Sequence, residues 1–531
     1  KYGIETNNWW FDTMIAHYLI RPVRGTHNLH AMTWEYLSEE AGGYDDFVKS
    51  VGGAHKIEPG PDLWYYNGLD SSVGFELMTI FEPLLKNRGH WQIFREVMME
   101  VSDDLMDMEI RGMQFDVPYI RELSLDYQAQ MYELEKLMGE DEGIVKFGWR
   151  YGKRFNPRSH VDLSWLLFEH YALPIIKTSK KTKKPSTDKE CIAMYAQDGN
   201  TFCQHLQTYR RLAKADSTYL SGLAEKLYEG GISHTNFNIT ITATGRTSSG
   251  ANPELKAIRD RAFNMQNIPR DPDIKRIMMA REGHVLIAGD LSQIELRILA
   301  CLANDEALVE AVYKDAHRGM AAAVFEKNFE DITHEERQVG KMLNFAIVYE
   351  VSAEGLAPRL TAETDTHWSV PDAGNLIDTL KSRFPSLAKW KDFVKWHVQK
   401  YSFISTPLGR RRYFQKKDDR EMREAVNMPI QSLASDFMLI SIIKINRRLK
   451  HENVNAWLVN EIHDSVIAEC VDDRNVILKV AYILKEEMEE MYWPVSGNKF
   501  DWLTIPVKAD IEIGYNMGHM TPLKKWGEDF A

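Results

Sequence analysis

Arg337-Gln338-Val339-Gly340-Lys341-Met342-Leu343-Asn344-Phe345-Ala346-Ile347-Val348-Tyr349 spaces two cations and two aromatic rings four residues apart. On a helix that spacing puts Arg337, Lys341, Phe345 and Tyr349 on one slowly drifting stripe. An ordinary amphipathic helix keeps its cations opposite its apolar face. Cations and rings on one face suit a polyphosphate with a base or sugar stacked beyond it. The plainer explanation, Arg and Lys stems laid over apolar surface, stays open at this point.

An aspartate segment lies on either side of this stripe. Upstream, Gly289-Asp290-Leu291-Ser292-Gln293-Ile294-Glu295-Leu296-Arg297 follows the apolar run Val285-Leu286-Ile287-Ala288, which predicts a strand ending at Asp290. Downstream, His463-Asp464-Ser465 separates Ala456-Trp457-Leu458-Val459 from Val466-Ile467-Ala468, which predicts a β-hairpin turn. A carboxylate at the mouth of a buried strand is costly unless a charge faces it. Asp290 as a helix N-cap and Asp464 as a simple turn residue are the bland alternatives. Two such carboxylates far apart in sequence suggest a shared pair of divalent cations about 3.5–4 Å apart, the device used for in-line phosphoryl transfer.

A chain of 531 residues is too long for one core and predicts several domains. An apolar fraction of 44% and a charged fraction of 27% are those of a soluble globular protein. Cys191, Cys203, Cys301 and Cys470 lack zinc-site spacing, so a reducing, cytoplasmic setting is expected. There is no run of about 18 apolar residues, so no membrane span is expected, and no signal peptide is seen. The net charge of −12 calls for a locally basic cleft if the partner is nucleic acid. The chain starts at Lys1 without methionine, as a fragment would.

Helices are predicted over the first hundred residues around a glycine- and proline-rich loop at 52–61. Long amphipathic helices from about Trp91 to Leu137 are broken by a turn and short strand at 111–116. The basic stretch Lys177–Thr187 reads as a mobile loop, either merely solvated or in contact with phosphates. From about Asn304 to Leu360 the chain reads as mostly helical.

With these segments assembled, the chain resembles the family A DNA polymerases, the group of bacterial DNA polymerase I and many phage enzymes. Arg337-x3-Lys341-x3-Phe345-x3-Tyr349 looks like their nucleotide-binding fingers helix. The Asp290 and His463-Asp464 segments resemble their first and last palm motifs. Thr242-Ala243-Thr244-Gly245-Arg246-Thr247-Ser248-Ser249 and Asn264-Met265-Gln266-Asn267-Ile268-Pro269 are similar to the thumb–palm junction. Arg423–Gln431 is similar to the helix that tracks the duplex, and Asp315-Ala316-His317 to the fingers histidine. The order matches, and the resemblance covers nearly the whole chain.

The resemblance implies an α+β multidomain fold: a right-hand polymerase with palm, fingers and thumb, preceded by a partial ribonuclease H-like 3′–5′ exonuclease domain. The expected division is 1–100 for the exonuclease-like part and 101–531 for the polymerase. Within the latter, the thumb is expected at about 155–240, the palm at about 241–303 and 400–531, and the fingers at about 304–399. The implied reaction is DNA-templated extension of a primer 3′-hydroxyl with dNTPs and release of pyrophosphate. Asp290, Asp464 and the Leu291 carbonyl are expected to hold two Mg²⁺ ions, with Mn²⁺ able to substitute. Arg337, Lys341 and His317 would grip the triphosphate, with Lys341 also protonating the leaving group. Phe345, Tyr349 and Gln293 complete the nucleotide site, and Glu295 matches the gate against a ribose 2′-hydroxyl. An ion pair with an arginine is the plain alternative for Glu295. Arg246, Arg423, Asn427, Gln431 and His463 are the expected DNA contacts, since minor-groove acceptors recur in every base pair.

Three positions depart from the family pattern: Glu350 where most relatives have glycine, Ser465 where most have glutamate, and Leu291 where bacterial relatives often have tyrosine. In the N-terminal part, Phe11-Asp12-Thr13-Met14 with His27-Asn28-Leu29, and Tyr66-x3-Asp70, resemble the second and third exonuclease motifs, nominating Asp12, Tyr66 and Asp70. The first, an Asp-x-Glu, is expected upstream of Asp12, before this chain begins. Expected partners are primer-template DNA and dNTPs, with no membrane and with replisome partners unspecified. The setting is the cytoplasm, that of a host cell for a phage replicase. The alternatives carried are a single-subunit RNA polymerase and an inert DNA-binding relative.

Overall fold

Val285, Leu286, Ile287 and Ala288 form an unbroken apolar run because both faces of their strand are covered. In the computed structural model, which describes residues 9–38, 43, 46–53, 56–179, 182–250, 261–313, 315–364 and 366–528, this run is strand β1 (His284–Leu291). Strands β2 (Ala456–Ile462), β3 (Ser465–Val471), β4 (Ala509–Gly514) and β5 (Thr521–Pro522) complete a fully antiparallel sheet in the order β5-β4-β1-β3-β2. Val285 and Ile287 enter one hydrophobic core, and Leu286 and Ala288 another, on the opposite face. The first core is built against helices Asp419–His451 and Arg474–Glu489. At Gly289 an added Cβ would fall 2.5 Å from the Met488 sulfur, so glycine lets the second helix lie directly on the strand. The second core joins the sheet to strand Met113–Phe115 and helix Val117–Gly139.

Beyond β1, helices Ile294–Ala303, Glu306–Tyr313, Ala316–Phe325, His334–Tyr349 and Ala353–Glu363 follow in turn, as the predicted helical stretch requires. A third core, around Leu163, Tyr195 and Leu206, supports a separate helical lobe over residues 138–213. Within the predicted basic loop, Thr178 bridges Pro185, while Lys180 and Lys181 lie outside the described residues. The described residues before Met113 form helices and no strand, so the sheet of a ribonuclease H-like domain is not among them. Helix Asp419–His451, at 33 residues, is long and apolar enough to cross a membrane, but its apolar window is 89% buried inside the fold.

The N-terminal helices are tied to the rest through a buried polar knot. Arg410, 2% exposed, forks onto Asp436, fully buried, at 2.6 and 3.1 Å, and its Nη1 donates to Tyr18 Oη at 3.4 Å. Tyr18 Oη donates in turn to the Thr242 carbonyl at 2.6 Å, and the Ser435 hydroxyl donates to the Gly245 carbonyl at 2.7 Å. Gly245 has φ +84°, and a Cβ there would strike the Arg410 guanidinium.

Candidate active site

β1 and β3 bring the two predicted aspartates together. Asp290 faces Ser465 across the ladder, and the Leu291 amide donates to the Asp464 carbonyl at 2.8 Å. On the other side of β1, Asp510 is the direct cross-strand partner of Asp290. Directly opposed residues project from one face, so Asp290, Ser465 and Asp510 share it. The N-cap explanation does not account for Asp290. The N-cap of the following helix is Gln293, left-handed at φ 52°, and no side chain caps that helix end. Asp464 does lie in the hairpin turn, but the left-handed position there belongs to His463, at φ 60°.

Asp290 keeps an open side to solvent while protein surrounds its carboxyl on the others. Burial and the facing charges of Asp464, Asp510 and Glu512 push its pKa up to about 6, with Arg270 acting in the opposite direction. A carboxylate crowded by carboxylates is the donor set for a hard divalent cation. Among the described residues no three His, Cys, Asp or Glu side chains gather as metal ligands. A pair of carboxylates is a set that a hard divalent cation can use when phosphate and water oxygens complete its shell.

The raised pKa has a stability consequence. An acid with a higher pKa folded than unfolded weakens the fold above its folded value, and the penalty fades as pH falls through about 6 towards 3.8. In metal-free protein, Asp290→Asn is expected to raise the melting temperature near pH 8, with the gain shrinking as pH falls below about 6. Melts in chelator across that range test this, and a gain that does not change with pH contradicts it.

The cation–ring stripe lies on helix His334–Tyr349, opened by a capping box between Thr333 and Glu336. Arg337 Nε donates to Asp315 Oδ2 at 3.0 Å. Lys341 stays half exposed, with Glu363 3.9 Å away. The Phe345 and Tyr349 rings lie 4.5 Å apart, Phe345 is 39% exposed, and the Arg359 guanidinium covers it at 4.6 Å. Asn344 donates its amide to His317 Nδ1 at 2.9 Å, which leaves the ring proton on Nε2. Burial, then Arg337, lower the His317 pKa, which favours the neutral ring.

Glu295 joins the stripe to the strand end. It accepts from Arg246 Nη2 at 2.7 Å and from Tyr349 Oη at 2.9 Å. The predicted ion pair therefore exists, within a three-membered cluster. Burial raises the pKa of Glu295, and burial followed by the Glu295 charge pushes Tyr349 up to about 12. Gln293 accepts from the Ala316 amide at 3.3 Å, binding the loop after Asp290 to the helix that carries His317.

Arg423, Asn427 and Gln431 recur every four residues on helix Asp419–His451 and, with Glu424, are the positions left accessible between Met422 and Leu433. His463 is exposed beside Asp464, and burial of its ring followed by Arg246 lowers its pKa. Glu350, in place of the glycine usual in the resemblance, caps the stripe helix at φ 48°. It pairs with Lys395 at 3.0 Å and Lys391 at 3.7 Å.

The sequence reading missed Glu461. Buried at 3% exposure, it accepts from the Thr247 hydroxyl and, at 2.8 Å, from the Gln266 amide, and burial pushes its pKa up to about 7. The signal was an acid inside the apolar strand Ala456–Ile462.

The exonuclease candidates are less converging. Asp12 is the N-cap of helix Thr13–Ile20, accepting from Ile15 N at 2.9 Å. Tyr66 and Asp70 lie one turn apart on helix Pro61–Asn87, as their spacing predicted.

The sequence model of DNA polymerase family A matches residues 119–519. The chain is 29% identical over 530 residues to DNA polymerase I of Bacillus caldotenax, covering 96% of this chain and 56% of that protein. It is 32% identical over 436 residues to the thermostable DNA polymerase I of Thermus aquaticus, covering 80% and 48% respectively. With the DNA polymerase of Bacillus phage SP01 it shares 27% identity, covering 96% and 60%. The chain thus spans about half the length of the curated relatives it matches. In structure it is similar to the POL domain of Pol1 from M. smegmatis, solved with DNA primer-template and dNTP. That match has a TM-score of 0.77 at 24% identity and covers 96% of this chain and 82% of that one.

Proposed function

The chain belongs to DNA polymerase family A, and on that premise we propose that it extends a primer 3′-hydroxyl with dNTPs on a DNA template, releasing pyrophosphate. The observation that carries this reading is the pairing of Asp290 and Asp464 at adjacent strand ends, with the Arg337–Tyr349 stripe fastened to them through Tyr349 and Glu295. In this reading the five-stranded sheet is the palm, residues 304–399 are the fingers and about 155–240 the thumb.

Asp290 and Asp464, with the Leu291 carbonyl, would hold two Mg²⁺ or Mn²⁺ ions, which when bound activate the primer hydroxyl and neutralise the leaving pyrophosphate. The chain's own residues supply binding and orientation. Arg337, fixed by Asp315, offers its remaining donors to the triphosphate, and His317 offers Nε2–H. Lys341, half exposed and loosely held by Glu363, reaches the phosphates and gives a proton to the leaving group. Phe345 supplies the surface for sugar and base, with Gln293 bracing the loop beneath. Arg246, Arg423, Asn427, Gln431 and His463 line the duplex path as donors blind to sequence.

Primer extension with dNTPs or NTPs offered in turn tests the proposal. Extension with dNTPs is the expected result, and preference for NTPs overturns it in favour of an RNA polymerase. In this reading Glu295 stands beside the incoming sugar, so Glu295→Ala is expected to raise ribonucleotide incorporation relative to dNTPs about 10–100-fold, the scale of losing one discriminating contact. Unchanged discrimination rules out Glu295 as the gate.

A further inference from the structure

Residues 385–417 carry nine lysines and arginines against one acid, Asp392, in a chain of net charge −12. The same segment presents a run of aromatic rings to solvent. Phe393 and Trp396 are each 52% exposed, Tyr401 45% and Tyr413 39%. The rings form a continuous path: Phe393 to Trp396 at 6.0 Å, Trp396 to Tyr401 at 6.2 Å, Tyr401 to Phe403 at 6.4 Å and Phe403 to Tyr413 at 5.9 Å. Large aromatics exposed side by side on a folded surface mark an interaction site more often than chance.

Cations are interleaved with the rings. Lys400 Nζ lies 5.1 Å from the Trp396 ring and 5.0 Å from Tyr401, and the Arg411 guanidinium covers Phe403 at 4.1 Å. Among the described residues no carboxylate pairs with Lys400 or Arg411, whereas the neighbouring Arg412 is neutralised by Glu424. The field is felt at His397 in the middle of the patch, whose pKa is lowered by burial and then by Arg411 and Lys400. On helix Pro385–Tyr401 the rings of Phe393, Trp396 and His397, together with Lys400, lie roughly opposite Lys391 and Lys395. Those two lysines hold Glu350 at the end of the stripe helix, so the patch is the outer side of an element whose inner side borders the proposed nucleotide site.

We propose that this patch is a stacking platform for single-stranded DNA, the unpaired template ahead of the polymerase site. Unneutralised lysine and arginine between exposed rings match a strand that offers phosphates and base faces alternately. A protein surface of ordinary composition would leave those charges unmatched. The template identity rests on the polymerase reading, but the binding chemistry does not.

The test measures anisotropy of a labelled oligothymidylate of about 12 nucleotides, with the duplex cleft saturated by unlabelled blunt DNA. A strand of that length falls within the roughly 4–16 nucleotide footprints of single-strand sites. The intact chain is expected to bind it with strong salt dependence. Phe393→Ala/Trp396→Ala/Tyr401→Ala is expected to weaken binding about tenfold or more, and Lys400→Gln/Arg411→Gln to flatten the salt dependence. A parallel arm compares primer-templates with short and long template overhangs. The long-overhang advantage should vanish in the triple variant, while extension on the short overhang stays at the level of the intact chain. Oligothymidylate that fails to bind the intact chain, or that binds the triple variant equally well, overturns the platform, including in favour of a protein partner. Loss of all primer extension in the intact chain, with oligothymidylate still bound at the patch, would instead defeat the polymerase reading.

Discussion

Asp290→Ala and Asp464→Ala are each expected to lower primer extension by about three orders of magnitude or more, with duplex affinity kept within a few-fold. A bound divalent ion supplies several kcal/mol of transition-state stabilisation, and each 1.36 kcal/mol is about tenfold in rate. Asp290 pairs across the ladder with Ser465, next to Asp464, while Asp510 pairs with it from the opposite side of β1. Duplex binding draws on phosphate contacts spread over many residues, so it does not depend on either aspartate. The Ser465 departure sharpens this prediction. Position 465 next to Asp464 in the turn carries a serine, so no carboxylate there backs up its metal contact. Gel-shift and quenched extension assays on the same preparations separate the two effects, and extension persisting in either variant would falsify the metal assignment.

Asp436→Ala is expected to cost about 3–5 kcal/mol, the penalty for leaving a buried charge without its partner. Arg410 is 2% exposed, and burial works against its charge, but the Asp436 carboxylate more than offsets this and raises its pKa. Removing that carboxylate strands a guanidinium among Tyr18, Met98 and the Gly245 turn. The variant should melt at lower temperature, with helix Thr13–Ile20 and the 240–247 loop loosened together, because Tyr18 bridges them. The double change Arg410→Met/Asp436→Leu should recover much of the loss, since replacing both partners removes the stranded charge. Melts in which the single and double variants behave alike would show that packing, and not charge, dominates the knot.

The fold was legible wherever local pattern and tertiary environment agree. The apolar run at 285–288 gave a doubly covered strand, and the His463-Asp464 pair gave a hairpin turn. The four-residue spacing from Arg337 to Tyr349 gave a helix whose stripe faces the strand end. The meeting of Asp290 with Asp464 was inferred from chemistry, and the antiparallel register of β1 and β3 is what supplies it. Partnerships across long sequence distance were not legible. Nothing local pairs Arg410 with Asp436, Arg246 with Glu295, or Glu461 with Gln266, because each depends on the packing of elements tens to hundreds of residues apart. Glu461 was visible as a misplaced acid in a strand but not as a hydrogen-bonded one. Asp12 caps helix Thr13–Ile20, a use that Asp-Thr-Met before an apolar run also allows and that the motif resemblance did not bring out. Glu350 was visible as a departure, and its two lysine partners were not.

The central claim is that Asp290 and Asp464 jointly hold the reaction's metals. Its most direct test is a Mn²⁺ titration followed by electron paramagnetic resonance, using protein bound to a primer-template whose primer lacks the 3′-hydroxyl, with the matching dNTP present. The claim predicts two tightly bound Mn²⁺ ions per complex in the intact chain and loss of tight binding in both Asp290→Ala and Asp464→Ala. Two ions bound with unchanged affinity in either variant would contradict it.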